Sequence, residues 1–66
     1  MPEEKIMKWF EYAHLPPHLQ EVSKKFHEMA WSIVEMIPAG SAERTVALRK
    51  LLESKDAAVR ARLDAG

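Results

Sequence analysis

The stretches "HLPPH" at residues 14–18 and "PAGS" at residues 38–41 cannot continue a helix, and they cut a chain of 66 residues into three pieces. Leu15 precedes a proline, whose ring pushes it out of the helical region. Pro38 lacks the N–H a helix needs, and Gly40 accepts a left-handed turn without a Cβ penalty. No run of alternating β-branched residues marks a strand. The pieces therefore predict an all-α fold. Helices are expected over about 2–12, 17–37 and 42–64, forming a single helical hairpin domain across residues 1–66.

In the first piece, "PEEKIMKWFEY", Pro2 suits the first helical position, where its missing N–H costs nothing. Glu3 and Glu4 complement the positive end of the helix dipole. Ile6, Trp9 and Phe10 share one face at i, i+3, i+4. In the second piece Pro17 starts a helix on which Leu19, Val22, Phe26, Met29, Ile33 and Met36 recur in steps of three and four, a heptad seam. Ala30 and Ile37 widen it. Glu21, Lys24, Lys25, Glu28 and Glu35 form the polar face. Trp31 and Val34 lie off the seam and predict a second packing surface.

The third piece begins with Ser41 as N-cap and Glu43 in the first turn. Leu48, Leu52, Val59 and Leu63 form its apolar stripe, broadened by Ala47, Leu51 and Ala58. Ala57, Ala58 and Ala61 are small enough to let another backbone approach. A break this short makes the second and third helices antiparallel.

Size then limits the stability available. Below roughly 70–80 residues a lone core supplies about 3–5 kcal/mol, and small domains add disulfides, a metal or partner chains. There is no cysteine. His14, His18 and His27 are the soft ligands, and no pair of them stands in a zinc-finger or HExxH pattern. Partner chains are left, so a homo-oligomer is expected. "MPEEKIMKWF" places acids before any apolar run and does not read as a secretory leader. No apolar run approaches the roughly 20 residues of a membrane span.

Ten basic residues balance ten acidic ones, which argues against a general binder of duplex DNA. The charge is uneven along the chain. Residues 1–40 hold four lysines against six glutamates, and residues 41–66 hold six cations against four acids.

Catalysis needs convergent, positioned groups. No serine or threonine stands in a motif, and the carboxylates read as solvated partners of nearby lysines. The cluster "KWFEYAHLPPH" is different. It gathers Trp9, Phe10, Tyr12, His14 and His18 around a proline turn, and aromatic rings offer stacking faces worth about 1–3 kcal/mol per base. For Trp9 and Phe10 the plainer reading is a helix docking its rings onto the hairpin. Lys24 and Lys25 are a solvated patch unless a stacking ring stands beside them, when they become phosphate clamps. "SAERT" presents helix N–H groups, Arg44 and Thr45 to an anion, or simply a cap. Arg60 and Arg62 complement the dipole at the other end of that helix.

"FEYAH" followed by proline, a helix ending in "IP", then "ERTVALRKL" and "KDAAVRA" together resemble a family of small phage proteins. These are the anti-CBASS cyclic-nucleotide sponges, which share a helical hairpin with one type of anti-Thoeris sponge. The likeness runs from about Phe10 to about Leu63. It implies a compact homohexamer that binds cyclic dinucleotides such as cyclic GMP-AMP between protomers, without cleaving them and without a cofactor. Sequestration would starve the CBASS effector in the cytoplasm of the infected bacterial host. By the same likeness Tyr12 is the base-stacking residue, and Lys25 or Lys24 meets the phosphate. Phe10 and His14 belong to the same ligand-binding motif. A second pocket for cyclic trinucleotides would draw on Arg44, Thr45, Arg60 and Arg62. The extra residue in "YAHLPPH" departs from the family's pattern at His14.

Two other readings compete. One is an oligomeric protein–protein interaction module with no nucleotide ligand. The other is a small DNA-binding regulator placing Arg44 and Arg49 in a groove. Zero net charge and the lack of a turn-plus-recognition-helix pattern weigh against the latter.

Overall fold

The computed structural model describes residues 5–65 and contains three helical elements, with no strand among the described residues. Lys5–Phe10 is a 3₁₀ helix, Pro17–Met36 is α1 and Ala42–Ala65 is α2. The expected positions of Pro2, Glu3 and Glu4 at a helix start lie outside the described residues.

The first element corrects the expected α-helix. A 3₁₀ helix repeats every three residues, so Met7 and Phe10 share a side, and both are buried. Trp9, expected on the packed face beside Phe10, is 58% exposed. Its ring instead lies under the Lys8 ammonium, 5.0 Å from Nζ to the ring centroid. A bond from Glu11 N–H to the Lys8 carbonyl closes the element.

Both sequence breaks fall where expected. The Leu15 N–H donates to the Tyr12 carbonyl at 3.0 Å, making a turn over residues 12–15. Pro16 is extended (φ −58°, ψ 151°) and Pro17 takes the first helical position. No side chain caps α1 at its N-terminus. The Pro16 carbonyl accepts instead from the N–H groups of Leu19 and Gln20. The Gln20 side-chain amide also reaches back, donating to the carbonyls of Leu15 (2.7 Å) and Ala13 (3.4 Å). At the other break Ile37 is extended and Gly40 has φ +90°, the left-handed region. Ser41 then caps α2, its Oγ accepting from the Arg44 N–H at 3.2 Å.

α1 and α2 pack as a hairpin. At its open end the Arg62 guanidinium meets the Glu21 carboxylate at 2.7 Å. At its closed end Arg44 Nη1 donates to the Ile37 carbonyl at 2.9 Å and the Val34 carbonyl at 3.4 Å. Helices leave their last carbonyls without intrahelical donors, and a residue of α2 supplies them here. Arg44 is buried as a result.

The core cluster is Met7, Phe10, Ala30 and Leu48, flanked by Phe26, Trp31, Ile33, Val34, Leu51 and Leu52. Its place on α1 differs from the heptad seam. Leu19, Ser23 and Ala30 are buried, whereas Met29 is 51% and Met36 69% exposed. The helix is turned so that Ser23 and Ala30 face inward where Val22 and Met29 were expected. Phe10, wholly buried, is packed in the same cluster as Ala30 and Leu48, so small residues on α1 admit a large ring from outside the hairpin. On α2 the expected stripe is buried at Leu48, half-buried at Leu52 and Val59, and exposed at Leu63.

Candidate functional site

The segment 11–16 belongs to no helix and holds Tyr12 and His14. Tyr12 is half-buried, because its ring meets the side of α1. It lies against the His27 ring with centroids 5.1 Å apart and planes at 74°, an edge-to-face pair. His27 in turn meets Trp31 at 6.4 Å and 66°. His27 Nδ1 lies 3.1 Å from the Phe10 carbonyl. A carbonyl only accepts, so this nitrogen carries the proton and donates. Glu11, Tyr12, Ala13, His14 and His27 line an open depression of about 370 Å³.

The expected ligand residues divide between two sides of α1. A helix advances about 100° per residue. Lys24, His27 and Trp31, spaced by three and four, share a side with the Tyr12 ring. Lys25 lies round the helix with Met29 and Met36. Both lysines are exposed. Lys24 therefore shares the Tyr12 side within one chain, and Lys25 points along the uncovered apolar stripe. His14 is exposed on the rim of the depression.

Phe10 is corrected. Its ring has no exposed surface and offers no face to a ligand. The residue acts near the depression through its carbonyl.

The four residues expected at a second pocket stand at opposite ends of α2. Arg44 is buried at the closed end of the hairpin, its guanidinium on the α1 carbonyls, with Thr45 half-buried beside it. Arg60 is exposed and Arg62 meets Glu21 at the open end. Sixteen residues separate Arg44 from Arg60, about 24 Å of helix. One protomer does not gather them.

Two residues outside any motif act on this segment, His27 in the lining of the depression and Gln20 at the carbonyls of Leu15 and Ala13. His27 and Gln20 both sit on α1 and hold the 11–16 segment from the side. The signal for His27 was its spacing from Lys24 and Trp31, which places all three on one side of α1 away from the seam.

Among the described residues no group of three or more His, Cys, Asp or Glu is placed to hold a metal ion. No helix of the described residues is long and apolar enough to cross a membrane. No family model, curated protein or solved structure matches this chain.

Proposed function

We propose that the protein is a non-enzymatic sponge that binds cyclic dinucleotides and withholds them from CBASS signalling, acting as a homo-oligomer in the cytoplasm of the infected bacterial host. The observation that carries this reading is the Tyr12 ring, held against His27 at the edge of an open depression in a segment that no helix constrains. A ring held this way presents a stacking face to a base, and base stacking tolerates many sequences because every base has a π-face.

Two features support a site shared between protomers. Lys25 lies with the exposed Met29 and Met36, on a face that a second copy would cover. A cyclic dinucleotide has two bases and two phosphates, so on a two-fold axis each Tyr12 serves one base and each lysine one phosphate. The hexamer implied by the family likeness would repeat this pocket. Cyclic trinucleotides would need a pocket joining Arg44 and Thr45 of one chain to Arg60 and Arg62 of another. No cofactor, DNA or membrane enters the mechanism.

The exposed methionine stripe also favours the second reading, a protein–protein interaction module without a nucleotide. Isothermal titration with cyclic GMP-AMP and other cyclic di- and trinucleotides, with mass in solution measured alongside, separates the two. Binding near one dinucleotide per two chains, with intact ligand recovered, supports the sponge. Tyr12→Ala is expected to abolish that binding and leave the mass unchanged. No heat from any member of the panel would overturn the sponge and leave the module.

A further inference from the structure

His27 is the middle ring of three beside the break, and its two contacts do different things. Nδ1 donates to the Phe10 carbonyl at 3.1 Å, which fixes the plane of the imidazole. That plane then meets the Tyr12 ring at 5.1 Å and 74°. The same imidazole also meets the Trp31 ring, with centroids 6.4 Å apart and planes at 66°. The Phe10 carbonyl is itself well anchored, because the Phe10 side chain is wholly buried. Rigid core is thus connected to His27 and through it to Tyr12.

Tyr12 needs such a connection. Residues 11–16 lie in no helix, and Gln20 holds only their backbone, at the carbonyls of Leu15 and Ala13. His27 is the ring contact that orients the Tyr12 side chain. A stacking residue free to leave its rotamer would have to be ordered by the ligand, which weakens binding.

We propose that His27 is the positioning residue of this site: it holds the Tyr12 ring as a preformed shelf for a nucleobase. This rests on the sponge reading above. His27 is half-buried and lies outside the core cluster of Met7, Phe10, Ala30 and Leu48, so the proposal assigns it a role other than core packing.

The test has one arm without ligand and one with it. In the free protein, proton NMR of the Tyr12 ring is compared between wild type, His27→Ala, His27→Asn and His27→Phe. In the second arm each is titrated with cyclic GMP-AMP. His27→Ala is expected to move the Tyr12 ring shifts toward random-coil values and weaken binding about tenfold, the scale of one edge-to-face pair plus one hydrogen bond. His27→Phe keeps a ring and loses the donor, while His27→Asn keeps a donor near Nδ1 and loses the ring. A positioning role predicts better rescue by Phe; a role confined to anchoring Phe10 predicts rescue by Asn. Unchanged Tyr12 shifts in His27→Ala, or rescue by Asn alone, overturns the proposal. Should His27→Ala fail to fold, the comparison of Phe with Asn decides. If wild type binds no cyclic dinucleotide, the sponge reading fails, and the ring shifts of the free protein still decide whether His27 positions Tyr12.

Discussion

Arg44 does at the closed end of the hairpin what a polar side chain usually does within one helix. Its guanidinium carries donors for the Val34 and Ile37 carbonyls, and burial strips competing water from them. Arg44→Ala leaves those carbonyls without this donor and is expected to cost about 1.5–3 kcal/mol. In a chain this short that lowers Tm by about 4–8 °C per kcal/mol, which a melting curve reads. Arg44→Lys should recover little, since an ammonium is a point charge and not a fork. Gly40 sits three residues after Ile37 with φ +90° and no atom within 4 Å of where a Cβ would stand. Gly40→Ala is therefore penalised by the backbone alone, about 1 kcal/mol in denaturant unfolding. Ser23 presents the opposite case. Its buried Oγ has no hydrogen-bond partner among the described residues. Ser23→Ala removes a desolvated hydroxyl and should leave stability unchanged or raise it by about 1 kcal/mol or less.

At the scale of elements, start and stop signals were legible where the interaction is local. Ser41 was readable as the cap of α2 because its hydroxyl meets an N–H three residues on. Ser41→Ala is expected to cost about 1 kcal/mol, measurable by thermal melting. Pro17 and Gly40 were readable for the same reason, since each acts through its own backbone. The 3₁₀ form of Lys5–Phe10 was not legible. A pattern of Ile6, Trp9 and Phe10 fits an α-helix, and only packing selected Met7 with Phe10 as the inward pair. The ion pair of Glu21 with Arg62 joins the two long helices, yet both side chains are substantially exposed, 68% and 45%. Glu21→Gln is expected to change stability by no more than about 0.5 kcal/mol, less in high salt. The hairpin is held by its apolar core and by Arg44 rather than by this pair.

On the scale of the whole molecule, one chain leaves much apolar surface open. Trp9, Met29, Met36, Val46 and Leu63 are each about half exposed or more. Met29 and Met36 stand seven residues apart on one side of α1 and form a continuous stripe with half-buried Val22. A surface substitution there should leave the protomer's own core intact. The double change Met29→Glu and Met36→Glu is expected to lower the mass in solution, read by light scattering, while the helical circular dichroism of the remaining species persists. An unchanged mass would overturn this stripe as the face on which copies assemble. The candidate site was half legible at this scale. Tyr12 and the two lysines were found as residue types near a break, but no pattern in the sequence says which lysine shares a side with the ring.

The sequence by itself determined the boundaries of the two long helices to within a residue, the two breaks and the cap of α2, because proline, glycine and serine act on backbone within a few residues of themselves. It also determined that the chain would be all-α and short of core. Only the tertiary structure decided which way α1 turns. A heptad count reads Val22 and Met29 inward, but α1 turns its small residues Ser23 and Ala30 inward instead, and the wholly buried Phe10 packs in one cluster with Ala30. The same docking brings the Phe10 carbonyl to His27 and Tyr12 to the His27 ring across gaps of seventeen and fifteen residues. Contacts at that separation depend on how three elements pack together, and no local pattern encodes them.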